Sequence, residues 1–527
     1  MRIVGVCFAS IFTLFVFSSA VCVRAQGPET LEARIQKVLA RPEFAHSNFG
    51  IEFLDFETGK VIYALNADKL FVPASTTKLL TEGIVLAKLG SDFRFHTSVY
   101  RTGPIDKHGT LKGDLILVAS GDPNLSNRIQ PDGTLAFVDE DHSYNGPALP
   151  GDPLVVIKDF ASQVSAKGIR KIEGNVYVDA SLLRDSEHEG GTGVTLSSII
   201  VNDNIIDLTA RPGAKAGDPA ELVVSPQTSY IHFTNKMITG LADSPPVYDA
   251  NDPAPRGENS WEITLAGSVP LAGGVQTVAY PVPSPTQFAT AALRDALRAK
   301  QIEVKPRKAA TDNLQPFQRF YTGEYRVAEH VSPPLSEDVR ITLKVSQNLH
   351  AAMGPYFLGL LSAKETQDPL HAGFKLERTF LVDAKLDLSG ASQGDGAGAE
   401  WADLFSPEFM CRYLAYWKSR SDFPVFFAGL PVLGKDGTLA KIQKDSSAAG
   451  HVFAKTGTFT TEDKLNSRLM LNGKGLAGYV QTKSGKTLVF AVYLNHTALP
   501  DDRESSQQIA GQALGEIAAA AYDAILP

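Results

Sequence analysis

The segment Pro73-Ala74-Ser75-Thr76-Thr77-Lys78 leads into an apolar helical repeat formed by Leu79, Leu80, Ile84, Leu86 and Leu89. The leucine spacing follows the helical period, and Gly90 is placed as a C-cap. Residues three apart share one face of a helix, so the Lys78 amine is within reach of the Ser75 hydroxyl. Since an alcohol becomes a good nucleophile only when a base takes its proton, this spacing predicts an activated serine. A helix cap with a solvated lysine is the simpler alternative that this segment leaves open.

Two further short patterns each occur twice, and their contexts differ. Ser346-Gln347-Asn348 precedes an apolar helical run, whereas Ser143-Tyr144-Asn145 lies among turn residues and is interpreted as a loop. Lys455-Thr456-Gly457 lies within a strand pattern, where a glycine permits close approach of a ligand. Lys483-Ser484-Gly485 lies between two strand patterns and predicts a hairpin turn. The segments at 346–348 and 455–457 are therefore the functional candidates.

Residues 1–25 predict a secretory signal peptide. Arg2 is followed by an apolar run from Ile3 to Val23 and by a small-residue end at Ala25. A membrane anchor is the alternative, but the polar residues 26–28 follow without a stop-transfer pattern. We therefore expect a chain that is exported to the periplasm or another extracytoplasmic compartment, with at most peripheral membrane contact.

The composition bounds the domain count and the partners. A chain of 527 residues is too long for one core and predicts two or three domains. The net charge of -8 and the lack of a basic tract disfavour nucleic acid as a partner. The eleven histidines lack metal-ligand spacing, so no metal or other cofactor is expected, and Glu187-His188-Glu189 is interpreted as a solvated loop.

The pattern of elements changes along the chain. Residues 26–91 and 319–527 carry the apolar helices and strands, and we predict that these two segments form one domain. Residues 92–318 alternate short strands with proline and glycine turns, which predicts one or two inserted β-rich domains, two being favoured. Near the end of the chain, strand patterns at 464–471 and 475–482 predict a turn at Asn472-Gly473-Lys474.

Together the three motifs are far more specific than any one of them. Their order is Ser75-x-x-Lys78, Ser346-x-Asn348 and Lys455-Thr456-Gly457. With them, and with Ser120-Gly121-Asp122-Pro123-Asn124-Leu125-Ser126, the chain resembles the class C low-molecular-mass penicillin-binding proteins, the D-alanyl-D-alanine carboxypeptidase/endopeptidase family. That family carries a long insertion between its first two motifs, so the resemblance extends over nearly the whole chain after the predicted signal. It implies an α/β fold: a transpeptidase/β-lactamase-like domain, an antiparallel sheet flanked by helices, with inserted β-rich domains.

The resemblance implies a serine D-alanyl-D-alanine carboxypeptidase or endopeptidase that acts on peptidoglycan stem peptides through an acyl-enzyme and is inhibited by β-lactams. In that family pattern Ser75 attacks, Lys78 acts as base, Ser346 relays a proton, and Asn348 holds Lys78 and the substrate. Binding of the substrate carboxylate would fall to Lys455, Thr456, Gly457 and Thr458. The balance of the two activities, the third stem-peptide residue, the role of the insertion and the oligomeric state stay open.

The chain departs from the family pattern in three places. Relatives usually carry Asp-Gly-Ser-Gly-Leu-Ser where this chain has residues 395–400, so a hydroxyl is missing at Ala397. Gln347 replaces a common aspartate, and Ala352 replaces a frequent glutamate.

Two alternative functions remain open. One is a β-lactamase-like or esterase-like serine hydrolase, which the large insertion disfavours. The other is a penicillin-binding sensor without turnover, which the intact motifs disfavour.

Overall fold

The computed structural model describes residues 29–257, 260–306, 310–362, 368–498 and 503–524, so the predicted signal peptide lies outside the described residues. The helices are α1 (Leu31–Leu39), α2 (Lys78–Leu89), α3 (Val155–Ala166), α4 (Pro285–Ala299), α5 (Leu335–Val345), α6 (Asn348–Ser362), α7 (Pro369–Asp383), α8 (Pro407–Tyr416), α9 (Phe423–Ala428) and α10 (Arg503–Asp523). None of the helices within these ranges is long and apolar enough to cross a bilayer.

Strand lengths range from two residues to the 14 residues of β20. The strands are β1 (Asn48–Asp55), β2 (Val61–Leu65), β3 (His96–Arg101), β4 (Thr110–Leu111), β5 (Leu115–Val118), β6 (Lys171–Ile172), β7 (Val176–Asp179), β8 (Ile205–Arg211), β9 (Glu221–Ser225), β10 (Ile231–Gly240), β11 (Val247–Ala250), β12 (Ala254–Gly257), β13 (Ser260–Pro270), β14 (Gln276–Pro281), β15 (Glu303–Val304), β16 (Arg326–Val331), β17 (Ala391–Ser392), β18 (Leu404–Phe405), β19 (Val452–Asp463), β20 (Arg468–Gln481), β21 (Thr487–Asn495) and β22 (Thr497–Ala498).

The main sheet is antiparallel and has the strand order β19-β20-β21-β1-β2, with β22 paired to β20. Alternate residues of β21 pack into two different cores, because successive side chains of a strand point to opposite faces. One core contains Leu488, Phe490, Val492 and Leu494 together with side chains of α1 and α10. The other contains Val489, Ala491 and Tyr493 together with side chains of α2, α5 and α8. This antiparallel sheet between helical layers confirms the predicted fold class.

The inserted region is built from small sheets around a core of its own. Two of these sheets have the orders β16-β3-β5-β7 and β14-β8-β9, and α3 and α4 pack against them. Strand β16 pairs antiparallel with β3, so the chain leaves this sheet only at Val331. The division of the chain at residues 92 and 318 stays a prediction.

The predicted turn at Asn472-Gly473-Lys474 is wrong, because β20 runs through these residues without a break. The hairpin instead turns between Asp463 and Arg468. Opposite β19 the register shifts by one residue, so Asn472 lies in a β-bulge and the asparagine-glycine pair marks that bulge. The second predicted turn is confirmed: the Gly485 N–H donates to the Thr482 carbonyl, and Gly485 has a φ of +83°.

A group of buried charges joins the inserted region to α5 and α6. The Arg128 guanidinium donates to the carboxylates of Asp141 and, at 2.7 Å, of Asp203. His350 of α6 contacts Asp203 at 3.0 Å and Asp338 of α5 at 2.9 Å. Burial lowers the pKa of His350, but the neighbouring carboxylates outweigh it and raise that pKa to about 10. The imidazole is therefore a cation near neutral pH, and the cluster pairs charges of both signs.

We expect Arg128→Met to lower the free energy of unfolding by about 3–5 kcal/mol, because it removes the buried cation that the carboxylates of Asp141 and Asp203 share. The midpoint of urea unfolding measures the change. Arg326→Met is the matched control: Arg326 forms a half-exposed ion pair with Glu329, and its loss should cost less than about 1 kcal/mol. Equal losses in the two variants would contradict the role given to the buried cluster.

Candidate active site

Ser75 lies in a 3-10 turn, Ala74–Thr77, directly before α2. Its neighbours in the turn are buried, whereas Ser75 itself is partly exposed. Ala74 has a φ of +47°, a conformation that residues with a Cβ rarely adopt. A Cβ on Gly398 would overlap the Ala74 carbonyl, so that loop also holds the strained turn in place. The turn presents one hydroxyl at the surface of a closely packed site.

Lys78 is fully buried, and its amine reaches three oxygen atoms. Nζ lies 2.9 Å from Ser75 Oγ, 2.7 Å from Asn348 Oδ1 and 2.7 Å from the carbonyl oxygen of Ala397. A neutral amine has two protons and one lone pair. With its protons donated to Asn348 and Ala397, its lone pair is directed at the Ser75 hydroxyl.

Burial and neighbouring charges have opposite effects on the pKa of Lys78. Burial lowers the pKa of Lys78 from its usual range to about 8, while the negative charges of Glu189, Asp395 and Glu82 act to raise it. A lysine with this pKa is partly neutral near neutral pH. The neutral amine can therefore accept a proton, and the ammonium that forms can donate that proton again in a later step.

The second motif lies at the junction of α5 and α6. Ser346 ends α5 with a φ of +64°, and Asn348 begins α6. Asn348 accepts from Lys78 through Oδ1 and donates through Nδ2 to the Glu189 carboxylate at 2.7 Å. This bridge fixes which end of the amide faces the amine.

Gln347, which departs from the family pattern, is buried on the charge cluster. Its Nε2 lies 3.3 Å from oxygens of Asp141, Asp203 and Ser143, and its Oε1 accepts from the Leu349 N–H at 2.7 Å. An aspartate here would add a carboxylate beside two others. The amide provides a donor in its place, so the motif is anchored without further negative charge.

The segment Ser143-Tyr144-Asn145, interpreted from the sequence as a loop, begins within a short 3-10 turn, His142–Tyr144. The Tyr144 hydroxyl donates to the carbonyl of Ser346 at 2.6 Å. The interpretation that it is not the catalytic motif stays a prediction. Its position against residue 346 could not be read from the local pattern.

Lys455 of the third motif lies in β19, and its Nζ donates to Ser346 Oγ and to the Thr456 carbonyl, each at 2.8 Å. Burial, together with the charges of Lys78 and Lys474, holds the pKa of Lys455 well below its usual range. The Thr456 hydroxyl donates to Thr438 Oγ1 at 2.8 Å. Two of the three motifs thus meet at the Ser346 hydroxyl.

Gly457 brings the backbone of β19 against the Ser75 turn. A Cβ at this position would lie 2.9 Å from the Ser75 nitrogen and 3.1 Å from the Ala74 Cβ. Such contacts are too close, so only glycine fits here without movement of the turn. Thr458 follows along the strand, and its hydroxyl oxygen accepts from Lys474 Nζ at 2.6 Å. The strand therefore lies beside the Ser75 nitrogen, as a backbone oxyanion site requires.

Glu189 is a site residue that sequence reasoning missed, and its interpretation as part of a solvated loop is wrong. Glu187 and His188 are exposed, but Glu189 is only 3% exposed. Besides Asn348, its carboxylate accepts from the Gly191 N–H at 2.5 Å and from the Thr192 N–H at 2.7 Å. The glycines after it indicate a tight turn, but no local signal places that turn against residue 348.

The remaining departures change packing and leave the contacts of Lys78 intact. Ala397 gives its carbonyl oxygen to Lys78, and its methyl group is buried. Asp395 Oδ1 accepts from the N–H groups of Ala397 at 2.9 Å and Gly398 at 2.6 Å, which fixes the loop. Ala352 lies in an apolar cluster with side chains of α6 and the inserted region. The missing hydroxyl is therefore not part of the lysine's hydrogen bonding.

Asp141, His142 and Asp203 lie close enough together to be considered as metal ligands. The Arg128 guanidinium already contacts both carboxylates, and His142 Nε2 contacts Asp203 at 2.7 Å. Burial lowers the pKa of His142, but hydrogen bonds to Asp203 and Asp207 outweigh it and raise that pKa to about 10. A cationic arginine and a protonated histidine are unsuited to binding a metal, so this group is structural.

A model of the D-Ala-D-Ala carboxypeptidase 3 (S13) family matches residues 31–514. The chain belongs to this family. A D-alanyl-D-alanine carboxypeptidase of Actinomadura sp. strain R39 is 26% identical over 495 residues, covering 89% of this chain and 82% of the relative. The penicillin-sensitive carboxypeptidase A of Dictyostelium discoideum is 25% identical over 435 residues, covering 78% of this chain and 76% of the relative. Family membership makes the chain a serine-type peptidase, as its motifs predicted.

The fold is also found in a solved structure. The crystal structure of penicillin binding protein 4 from Haemophilus influenzae matches with a TM-score of 0.68 at 19% identity, covering 92% of this chain and 97% of the other. Both the predicted resemblance and the predicted fold class, a transpeptidase-like domain with inserted β-rich parts, are thereby confirmed.

We expect Lys78→Arg to slow acylation by benzylpenicillin about 10²–10⁴-fold, nearly as much as Lys78→Met. A guanidinium keeps the charge but does not deprotonate to act as a base. Stopped-flow measurement of the acylation rate tests this. Lys88→Arg, an exposed change on the same helix, should alter the rate less than about twofold. A near wild-type rate in Lys78→Arg would mean that the lysine serves only as a fixed cation.

The acylation rate should rise with pH and level off above the pKa of Lys78, about 8, because the neutral amine is the active form. Glu189→Gln removes a negative charge that favours the ammonium, so the pKa falls and the rising limb moves to lower pH. The glutamine keeps an oxygen that accepts from Asn348. Glu187→Gln, an exposed change two residues away, should leave the limb in place. A limb that stays put or moves upward in Glu189→Gln would contradict the assignment.

Proposed function

We propose that the protein is a D-alanyl-D-alanine carboxypeptidase and endopeptidase that cleaves peptidoglycan stem peptides through an acyl-enzyme on Ser75. The observation that carries the proposal is the buried Lys78 amine, directed at the Ser75 hydroxyl and shifted in pKa toward a general base. The first two motifs contact each other through this amine, and the third joins them through the contact of Lys455 with Ser346. β-Lactams are then inhibitors because they present a strained amide and a carboxylate to the same serine.

In the acylation step, Ser75 Oγ attacks the carbonyl carbon between two D-alanines while its proton passes to Lys78 Nζ. The carbonyl oxygen gains negative charge and is stabilised by the backbone N–H groups of Ser75 and Thr458. The approach of Gly457 to the Ser75 nitrogen supports this pairing. Each such donor contributes about 3–4 kcal/mol in comparable sites.

Collapse of the tetrahedral intermediate breaks the carbon–nitrogen bond, and the leaving nitrogen needs a proton. Ser346 is placed to supply it: its oxygen accepts from Lys455, so its own proton is free to be donated. The proton that Lys78 took from Ser75 then replaces the one that Ser346 gave up, so both groups are neutral again before deacylation. Water attacks the ester on Ser75 in the second half, with the lysine again as base, and frees the acid product.

Recognition of the leaving group depends on a carboxylate. Lys455 supplies positive charge, and Thr456 and Thr458 supply hydroxyls. In a stem peptide the carboxylate belongs to the terminal D-alanine, and in a diaminopimelate cross-link the D-centre that gives the amine keeps its own carboxylate. One clamp therefore serves both the carboxypeptidase and the endopeptidase reaction.

We further propose that residues 26–91 and 319–527 form the catalytic domain and that residues 92–318 form the inserted accessory part. The large cores of the two parts are mostly distinct, although Val327 and Ala328 of β16 pack in the core of the inserted part and two smaller clusters join the parts. Export to the periplasm or another extracytoplasmic compartment fits a peptidoglycan substrate, which lies outside the cytoplasm. The apolar N-terminal pattern supports this localisation.

Benzylpenicillin should form a covalent adduct at Ser75, and the protein should release D-alanine from a peptide ending in D-Ala-D-Ala. Peptide mapping by mass spectrometry locates the adduct, and a coupled assay measures D-alanine. Ser75→Ala should lose both, whereas Ser484→Ala, at the exposed hairpin with the second lysine-serine-glycine, should keep both. An adduct on a peptide lacking Ser75 would refute the assignment. Labelling without D-alanine release would instead support the sensor alternative.

A further inference from the structure

Lys474 enters the neighbourhood of the third motif because β20 does not turn at residues 472–474. It lies directly opposite Thr458 in the antiparallel pairing of β19 and β20. Paired residues share a face of the sheet, and Thr456 shares it too, being two residues from Thr458. Lys455 lies on the other face, where it reaches Ser346. The two lysines thus approach the outermost strand of the sheet from opposite sides.

Both lysines are buried without a counter-ion. Lys474 is 7% exposed and Lys455 is fully buried. Among the side chains that the structure describes, no carboxylate lies within ion-pairing distance of either ammonium. Burial accordingly lowers the pKa of Lys474 to about 8. Burying unpaired cations is costly, and a bound anion would offset that cost.

The contact between Lys474 and Thr458 also fixes the direction of a hydroxyl group. Lys474 Nζ donates to Thr458 Oγ1 at 2.6 Å, so the oxygen acts as an acceptor on that side. The hydroxyl proton of Thr458 is then directed away from Lys474 and is available to another acceptor. A threonine polarised in this way is a donor suited to a carboxylate oxygen.

We propose that Lys474 is a positioning and specificity-determining residue, which holds the Thr458 hydroxyl as a donor and adds a second positive charge to the site that binds the substrate carboxylate. The inference rests on the proposed function and deepens it: the site selects peptides with a free carboxylate on the D-residue after the scissile bond. Lys455 and Lys474 divide this task from the two faces of the sheet.

The test compares kcat/KM for a stem peptide ending in D-Ala-D-Ala with kcat/KM for the same peptide amidated at its terminus. The wild type should prefer the free carboxylate by more than about tenfold, because an amide leaves the buried donors badly paired. In Lys474→Met this preference should fall about tenfold, mainly through KM for the free acid. The amidated peptide should change less than about twofold.

Two further variants separate this role from a merely structural one. Lys474→Arg keeps a cationic donor and should retain at least half of the wild-type preference. Lys483→Met, an exposed change in the following hairpin, should leave it unaltered. Thr458→Val should lower the preference like Lys474→Met, and the double variant should lose little more than either single one, because the lysine acts through the threonine.

The outcomes separate a failure of the proposed peptidase function from a failure of the role given to Lys474. If the wild type releases no D-alanine from either peptide, the proposed function fails. If the wild type prefers the free acid and folded Lys474→Met keeps that preference, only the role of Lys474 fails. If Lys474→Met does not fold, the arginine and valine variants decide: loss in Lys474→Arg together with an unchanged preference in Thr458→Val would overturn the inference.

Discussion

The burial of one amine, that of Lys78, is the constraint on which the site depends. An amine removed from water is tolerated only when its hydrogen-bonding groups find partners, and here those partners come from separate parts of the chain. Ser75 belongs to the same turn, Asn348 begins α6, and Ala397 lies in a loop after α7. The hydrogen bonds of the buried Lys78 amine therefore bring these three segments together. The same burial lowers the pKa of Lys78 to about 8, in the range that proton transfer requires.

The inserted region takes part in this chemistry. Glu189 lies in sequence between the first two motifs, yet its carboxylate accepts from Asn348 and favours the charged form of Lys78. The Tyr144 hydroxyl donates to the carbonyl of Ser346, and Asp203 of the buried cluster around Arg128 accepts from the Gln347 amide. The insertion thus orients Asn348 and helps to set the pKa of Lys78.

The three buried lysines differ in the charged groups that surround them. The carboxylates near the site, those of Glu189, Asp395 and Glu82, act on Lys78. Burial, together with the charges of Lys78 and Lys474, lowers the pKa of Lys455, and burial alone lowers that of Lys474. One lysine is thereby tuned to exchange a proton, while the other two retain an unmet affinity for an anion. In the proposed function, the carboxylate of the substrate supplies the anion that these two lysines lack.

The sequence by itself determined the features that depend on local spacing. The helical period after Lys78, the Gly90 cap and the hairpin at 483–485 all form as predicted, and the three motifs identified the family and its sheet between helices. The tertiary structure decided what depends on distant partners. Pairing of Lys474 with both Thr458 and Leu494 overrides the turn preference of the asparagine-glycine pair. The burial of Glu189 likewise depends on a contact with Asn348, and no local pattern encodes a partner that lies so far along the chain.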